Sequence, residues 1–89
     1  MLRYSVSFTH RAKKNLQALP HETRHHIESG IWAFARDPGP HHDVKKMQVS
    51  PKARPLYRLR VGDYRVLMYL YHDKLIVEII SIFKREGAY

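Results

Sequence analysis

Residues 56–69 constrain the fold of this chain more than any other stretch. They form two runs of alternating apolar and polar residues that meet at Gly62-Asp63. A Gly-X pair between two such runs is typical of a two-residue hairpin with a type II′ turn. This turn fixes the register, so Val61 is expected to lie opposite Tyr64. The sequence therefore predicts an antiparallel hairpin with one apolar face for a core.

The other face of this hairpin carries arginines. The same register places Arg60 directly opposite Arg65, with Arg58 two residues along the strand. Like charges that face each other in a sheet are destabilising. Guanidinium groups match phosphate oxygens in a bidentate geometry. The arginine face therefore favours a site for an anionic ligand, and solvated strand positions are the alternative interpretation.

The segments around the hairpin predict an α+β domain that spans residues 1–89. Thr9 is a suitable N-cap for a first helix, and Pro20 separates that helix from a second one. Such helices are expected to pack as a hairpin on one face of a mainly antiparallel sheet, with three to four strands after them. The predicted elements are a strand over 2–8, helices over 10–18 and 21–36, a weak strand over 44–49, the hairpin, and a strand over 75–83.

Net charge and cysteine content limit the classes of function. Sixteen Lys and Arg against eight Asp and Glu give a formal charge of +8, which favours nucleic acid or an acidic protein as partner. Residues 44–89 hold ten basic and four acidic residues, whereas residues 1–43 hold six and four. The basic character therefore belongs mainly to the hairpin half. The chain has no cysteine, which excludes disulfides and thiolate chemistry.

The hydropathy pattern gives no indication of a membrane or a secreted protein. No apolar run approaches the roughly 18–20 residues that cross a bilayer. The N-terminal residues alternate like a strand and lack the apolar block of a signal peptide. We expect a cytoplasmic protein without membrane contact.

The seven histidines are candidate metal ligands. His21 and His25 are four residues apart on the second predicted helix and His26 adjoins them, but no acidic residue completes a ligand set. A solvated helix face is the favoured interpretation, and we expect neither a metal nor a cofactor. Asp63 and Asp73 lie in predicted turns. An enzyme of this composition would rely on arginines and tyrosines, which suits RNA cleavage by the substrate's own 2′-hydroxyl.

The segments 57–66 and 80–86, together with the terminal Tyr89, resemble the RelE toxins of the RelE/ParE superfamily. The resemblance covers essentially the whole chain. It implies the toxin of a type II toxin–antitoxin system, which cuts mRNA in the ribosomal A site without a metal and leaves a 2′,3′-cyclic phosphate. It also implies a RelB-like antitoxin that wraps around the toxin, with contact to operator DNA only through that antitoxin.

The resemblance implies roles for individual residues. Arg58 and Arg60 match the paired basic residues that contact the scissile region, which are lysines in the best-studied pattern. Arg65 matches the arginine that stabilises the transition state, Arg85 the one that protonates the leaving 5′-oxygen, and Tyr89 the tyrosine that stacks on the base. Because a guanidinium stays protonated in proteins, the general base is left unassigned. Further RNA contacts are expected from Lys45, Lys46, Lys52, Arg54 and Lys84.

Two alternatives share this fold. One is a non-enzymatic inhibitor of the ParE kind, which poisons DNA gyrase, and the other is a basic RNA-binding module without activity. The arginines and tyrosine favour the ribonuclease over the ParE kind, whereas arginines in place of the lysine pair keep the inactive module open. The antitoxin is expected to be acidic, and either the edge strands or the arginine face can receive it.

Overall fold

The computed structural model describes residues 3–47 and 55–84. The described strands form a five-stranded sheet in the order β1-β5-β4-β3-β2, in which β1 and β5 are parallel and all other neighbours are antiparallel. The predicted α+β class, with its mainly antiparallel sheet, is confirmed. The elements are β1 (Ser5–Phe8), α1 (His10–Gln17), α2 (His21–Arg36), β2 (Val44–Met47), β3 (Leu56–Val61), β4 (Tyr64–Tyr71) and β5 (Ile76–Lys84).

The helices begin where the sequence signals place them. Thr9 caps α1, and its hydroxyl accepts a hydrogen bond from the Ala12 N–H at 3.1 Å. Pro20 precedes α2, which spans the predicted residues 21–36. The weak strand expected over 44–49 is β2, and its last two predicted residues lie outside the described ranges. Within those ranges, no helix is long and apolar enough to cross a membrane.

Two strands begin later than predicted. β1 begins at Ser5, because the Tyr4 N–H donates to the Ala35 carbonyl oxygen at the end of α2 (2.8 Å). β5 begins at Ile76, because Leu75 has a left-handed backbone with a φ of 54°. A regular strand requires a negative φ, so Leu75 belongs to the turn before β5.

The β3–β4 hairpin has the predicted register. Arg60 lies opposite Arg65, and Val61 lies opposite Tyr64. Gly62 has a φ of 58°, and the residue after it does not have a positive φ. A positive φ at the first turn residue alone is the φ pattern of a type II′ turn. The local sequence therefore determines both the turn and the pairing.

α2 packs against one face of the sheet and closes the core. A glycine in α2 permits a close approach to β3: a Cβ at Gly30 would lie 2.8 Å from Cγ2 of Val61. This contact places α2 directly beside the β3–β4 turn. The largest fully buried side chains of the core are Ile27, Ile31, Phe34, Val66, Met68, Val77 and Ile79.

α1 lies along the edge of β5, beyond the end of β1. The Thr9 hydroxyl donates to the Ile80 carbonyl oxygen at 3.0 Å. The Asn15 side-chain oxygen accepts a hydrogen bond from the Ile82 N–H at 3.0 Å. These side chains satisfy backbone groups of β5 that the shorter β1 does not reach.

β5 contains a β-bulge that changes the sheet face to which the side chains of its last residues point. Its pairing with β4 skips Ile80, an extra residue between Ile79 and Ser81. A one-residue bulge exchanges the faces of the side chains that follow it, relative to strict alternation. As a result, Phe83 pairs with Arg65 and shares the face of that arginine.

Candidate functional site

Four basic residues lie on the sheet face that α2 leaves open. Arg58 and Arg60 come from β3, Arg65 from β4 and Lys45 from β2. Arg60 pairs with Arg65, and Arg58 pairs with Lys45. Side chains of paired residues point to the same face of a sheet. The structure thus brings the three predicted arginines together with one predicted lysine, and we call these four residues the basic cluster.

The Arg65 side chain has a buried donor that the described part of the chain leaves unsatisfied. Its Nε is buried and has no hydrogen-bond partner among the described residues. A buried donor without a partner costs about 1–3 kcal/mol, and more when the group is charged. An anion bound to the basic cluster would supply the missing acceptor. This atom is the strongest local indication that the basic cluster holds a ligand.

One carboxylate lies beside the basic cluster. The Oδ2 of Asp43 is 3.4 Å from the Nε of Arg60, and both side chains are well exposed. The Arg60 N–H also donates to the Asp43 carbonyl oxygen at 2.9 Å, which holds the residue before β2 against β3. An exposed ion pair of this kind contributes little to stability. The local sequence does not predict this neighbour, because its position depends on the pairing of β2 with β3.

An exposed aromatic ring borders the basic cluster. Phe83 is 37% exposed and lies opposite Arg65. Strict alternation from the buried Ile79 would place this ring in the core, and the bulge at Ile80 moves it to the open face. An exposed ring in this position can stack on a nucleobase. The sequence contains no local signal for the bulge, so Phe83 escapes prediction.

Other predicted site residues lie apart from the basic cluster. Lys46 and Lys84 pair with Tyr57 and Tyr64, which pack against the core on the covered side of the sheet. These lysines therefore lie on the opposite face from the basic cluster, and their RNA contacts stay predictions. The predicted site residues that lie outside the described ranges are Lys52, Arg54, Arg85 and Tyr89.

The histidines of α2 lie on its exposed side. The rings of His21 and His25 stack with centroids 6.3 Å apart. In residues 3–47 and 55–84, no group of three or more His, Asp or Glu residues is placed to hold a metal ion. The side chains of His21, His25 and His26 are all exposed, which is what a solvated helix face requires.

The open face of the sheet is chemically divided along its length. At the end distant from the hairpin turn, the Tyr71 hydroxyl donates to the Oε1 of Glu78 at 2.9 Å. That carboxylate is engaged by a neighbour on the same sheet. At the other end, the basic cluster presents positive charge together with Asp43 and Phe83. The second end can bind the phosphate groups of a nucleic acid and contact an adjacent base.

Sequence comparisons relate the chain to toxins. The family model described as "ParE toxin of type II toxin-antitoxin system, parDE" matches residues 6–89. A relative from Methanocaldococcus jannaschii that is assigned as toxin RelE1 is 30% identical over 90 residues. The alignment covers 99% of this chain and 97% of the relative.

Solved structures of toxin–antitoxin complexes contain a similar fold. A chain of the RelE–RelB complex from the archaeon Pyrococcus horikoshii has a TM-score of 0.79 at 27% identity, and the match covers 98% of this chain and 100% of that chain. A chain of the RelBE2 complex from Mycobacterium tuberculosis also has a TM-score of 0.79, at 24% identity, with coverage of 96% and 94%.

Proposed function

The chain belongs to the ParE toxin family of type II toxin–antitoxin systems, within the RelE/ParE superfamily, and we propose that it is an endoribonuclease that cleaves mRNA in the ribosomal A site. One observation carries the proposal: the basic cluster lies on an open sheet face, and the buried Nε of Arg65 lacks an acceptor among the described residues. A phosphodiester supplies such an acceptor, and its charge complements the cluster.

The proposed reaction needs no nucleophile from the protein. The 2′-hydroxyl oxygen of the RNA attacks the adjacent phosphorus, forms the 2′-O–P bond and breaks the bond from phosphorus to the 5′-oxygen. The products are a 2′,3′-cyclic phosphate and a 5′-hydroxyl. Negative charge grows on the phosphate oxygens during attack, and the guanidinium groups of Arg58 and Arg65 stabilise it. Arg85 is the proposed hydrogen-bond donor to the 5′-oxygen as its bond to phosphorus breaks, and this oxygen takes its proton from water.

Asp43 is the proposed acceptor of the 2′-hydroxyl proton. The arginines cannot take this proton, because guanidinium groups stay protonated in proteins. The Asp43 carboxylate lies 3.4 Å from Arg60 and is exposed, so an RNA bound to the basic cluster can reach it. Replacement of Asp43 by Asn should slow cleavage by about 10²–10⁴-fold, the usual effect of losing a general base. RNA affinity should not fall, because the substitution removes a negative charge that repels the RNA backbone.

The experiment that tests the proposed function is the replacement of Arg65. Arg65→Ala should abolish growth arrest and the codon-phased cleavage that primer extension detects, and it should still bind the antitoxin. Lys74→Ala is the matched control, because Lys74 is an exposed cation in the turn at the far end of β4. The control should keep full toxicity. An Arg65→Ala chain that cleaves mRNA like the wild type would refute the proposal.

A second candidate function is the non-enzymatic inhibition of DNA gyrase. The match to the ParE family model favours it, whereas the relatives named RelE favour the ribonuclease. Primer extension separates the two. Intact mRNA together with DNA damage after induction would support the gyrase inhibitor, and mRNA cut in phase with codons would support the ribonuclease.

A RelB-like antitoxin is the proposed partner of the chain. The similar toxin from Pyrococcus horikoshii was solved in complex with RelB. The formal charge of +8 also favours an acidic partner, since complementary charge accelerates association. The ribosome and its mRNA are the proposed targets in the cytoplasm, and operator DNA is contacted through the antitoxin.

A further inference from the structure

A small pocket lies on the helix side of the sheet, away from the basic cluster. Arg3, Tyr4, Trp32 and Arg36 line a volume of about 250 Å³ between the start of β1 and the last turns of α2. Trp32 is the single tryptophan of the chain, and it is 48% exposed. We call this feature the tryptophan pocket.

The fold holds both arginines beside the indole ring. Arg36 follows Trp32 by four residues on α2, so the two side chains lie on the same side of the helix. The Tyr4 N–H donates to the Ala35 carbonyl oxygen at 2.8 Å. This bond ties the neighbour of Arg3 to the neighbour of Arg36. The tryptophan pocket is therefore formed by the fold before any ligand arrives.

The tryptophan pocket carries positive charge that the described part of the chain leaves unpaired. Its arginines take part in neither of the two ion pairs found there, which join His41 to Asp37 and Arg60 to Asp43. An exposed indole beside two unpaired guanidinium groups combines an apolar flat surface with phosphate donors. A ligand that satisfies all three groups needs both a flat ring and a negative charge.

We propose that the tryptophan pocket binds one unpaired nucleotide of a single-stranded RNA, with the base stacked on Trp32 and a phosphate held between Arg3 and Arg36. Aromatic side chains stack on bases of any sequence, and arginines hold the backbone. The pocket is just below the roughly 300–1,000 Å³ of typical small-molecule sites, a size that suits one nucleotide. An acidic peptide would pair with the arginines but leave the indole face without a stacking partner.

The single tryptophan makes a direct test possible. A base stacked on Trp32 quenches its fluorescence, whereas RNA bound only at the basic cluster, across the sheet, does not reach it. The full-length chain is titrated with a short 2′-O-methyl oligoribonucleotide, whose blocked 2′-oxygens prevent self-cleavage. The readout is therefore independent of the proposed ribonuclease activity. We expect saturable quenching of the indole.

Variants locate the binding. In the double variant Arg3→Ala/Arg36→Ala, the RNA concentration at half-maximal quenching should rise at least about tenfold. A loss of affinity of this size is expected when charge-assisted hydrogen bonds are removed. The binding constant should also depend less on salt. The slope of its logarithm against the logarithm of salt concentration should become shallower by about 0.7 for each phosphate that the variant no longer neutralises. Lys13→Ala/Lys14→Ala is the matched control, because it removes equal charge from exposed positions of α1, outside both the tryptophan pocket and the basic cluster. It should leave the RNA concentration at half-maximal quenching unchanged.

Three outcomes would overturn the proposal. The first is that the oligonucleotide does not quench the indole fluorescence. The second is that half-maximal quenching needs the same RNA concentration in the wild type and in Arg3→Ala/Arg36→Ala. The third is that polyglutamate quenches the fluorescence when it is added instead of RNA. The last result would assign the tryptophan pocket to an acidic protein. Far-UV circular dichroism on each variant shows that it is folded. In Trp32→Phe, the affinity for a fluorescently labelled oligonucleotide should persist, because a phenyl ring also stacks, whereas Trp32→Ala should weaken it.

Discussion

The contact between Gly30 and Val61 gives a quantitative prediction about how α2 is seated on the sheet. A methyl group at residue 30 would lie 2.8 Å from Cγ2 and 3.1 Å from Cγ1 of Val61, whereas carbon atoms prefer about 3.5–4.0 Å. Such overpacking costs about 1–3 kcal/mol. Alanine is better than glycine inside a helix by about 1 kcal/mol. We therefore expect Gly30→Ala to lower the free energy of unfolding by about 1 kcal/mol.

Removal of the Val61 methyl groups should reverse the sign of the stability change caused by Gly30→Ala. In the Val61→Ala background, the nearest side-chain atom of residue 61 is its Cβ, at 3.6 Å from the new methyl group, which is an ordinary contact. Gly30→Ala should then stabilise the protein by about 1 kcal/mol, the difference in helix propensity. The two substitutions should thus be coupled by about 2 kcal/mol, well above the roughly 0.3–0.5 kcal/mol seen for independent sites.

Urea unfolding followed by circular dichroism measures the wild type, both single variants and the double variant. A change of 1 kcal/mol corresponds to a shift in Tm of about 4–8 °C for a domain of this size. Ser29→Ala is a control at an exposed position of the same helix and should stay within about 0.5 kcal/mol of the wild type. If Gly30→Ala stabilises the wild type and its effect adds to that of Val61→Ala, α2 does not rest on β3 at this contact.

Substitutions at three further positions test other parts of the fold. Thr9→Ala should lower the free energy of unfolding in urea by about 1–2 kcal/mol, because it removes the cap of α1 and the hydrogen bond to the Ile80 carbonyl oxygen. Thr9→Ser keeps a hydroxyl and should restore most of that stability. Phe34→Ala should cost about 3–5 kcal/mol by the same assay, since the ring is 1% exposed, and a loss below about 1 kcal/mol would contradict its place in the core. Leu75→Gly should raise Tm, because it relieves the roughly 1–2 kcal/mol that a left-handed backbone costs a residue with a side chain, and a lower Tm would contradict this.

Local signals predict most of the individual elements. Gly62 needs only its neighbours to form the hairpin turn, and Thr9 and Pro20 determine helix starts in the same way. The start of β5 is different. Alternation extends through Leu75, but the hairpin between β4 and β5 needs one residue with a left-handed backbone, and the chain places it there. Turn geometry overrides the apolar pattern at that position.

The part of the candidate site that depends on the hairpin follows from local sequence. Arg60 and Arg65 face each other because of one turn, so the sequence is sufficient to pair them. Asp43 and Phe83 join them through β2 pairing and through the bulge in β5, which are long-range features without a local signal. The sequence therefore predicts the cations of the site but neither its carboxylate nor its described aromatic ring.

The position of α1 along β5 also limits the pairing of edge strands between two copies of the toxin. The segment 79–83 is apolar, rich in isoleucine and without charge, which is the type of strand that joins other chains when its edge is free. Thr9 and Asn15 occupy backbone groups along that edge. At the opposite edge, the described part of β2 contains Lys45 and Lys46, and lysines on an edge strand discourage strand addition. Any partner that adds a strand beside the second half of β5 must therefore first displace α1.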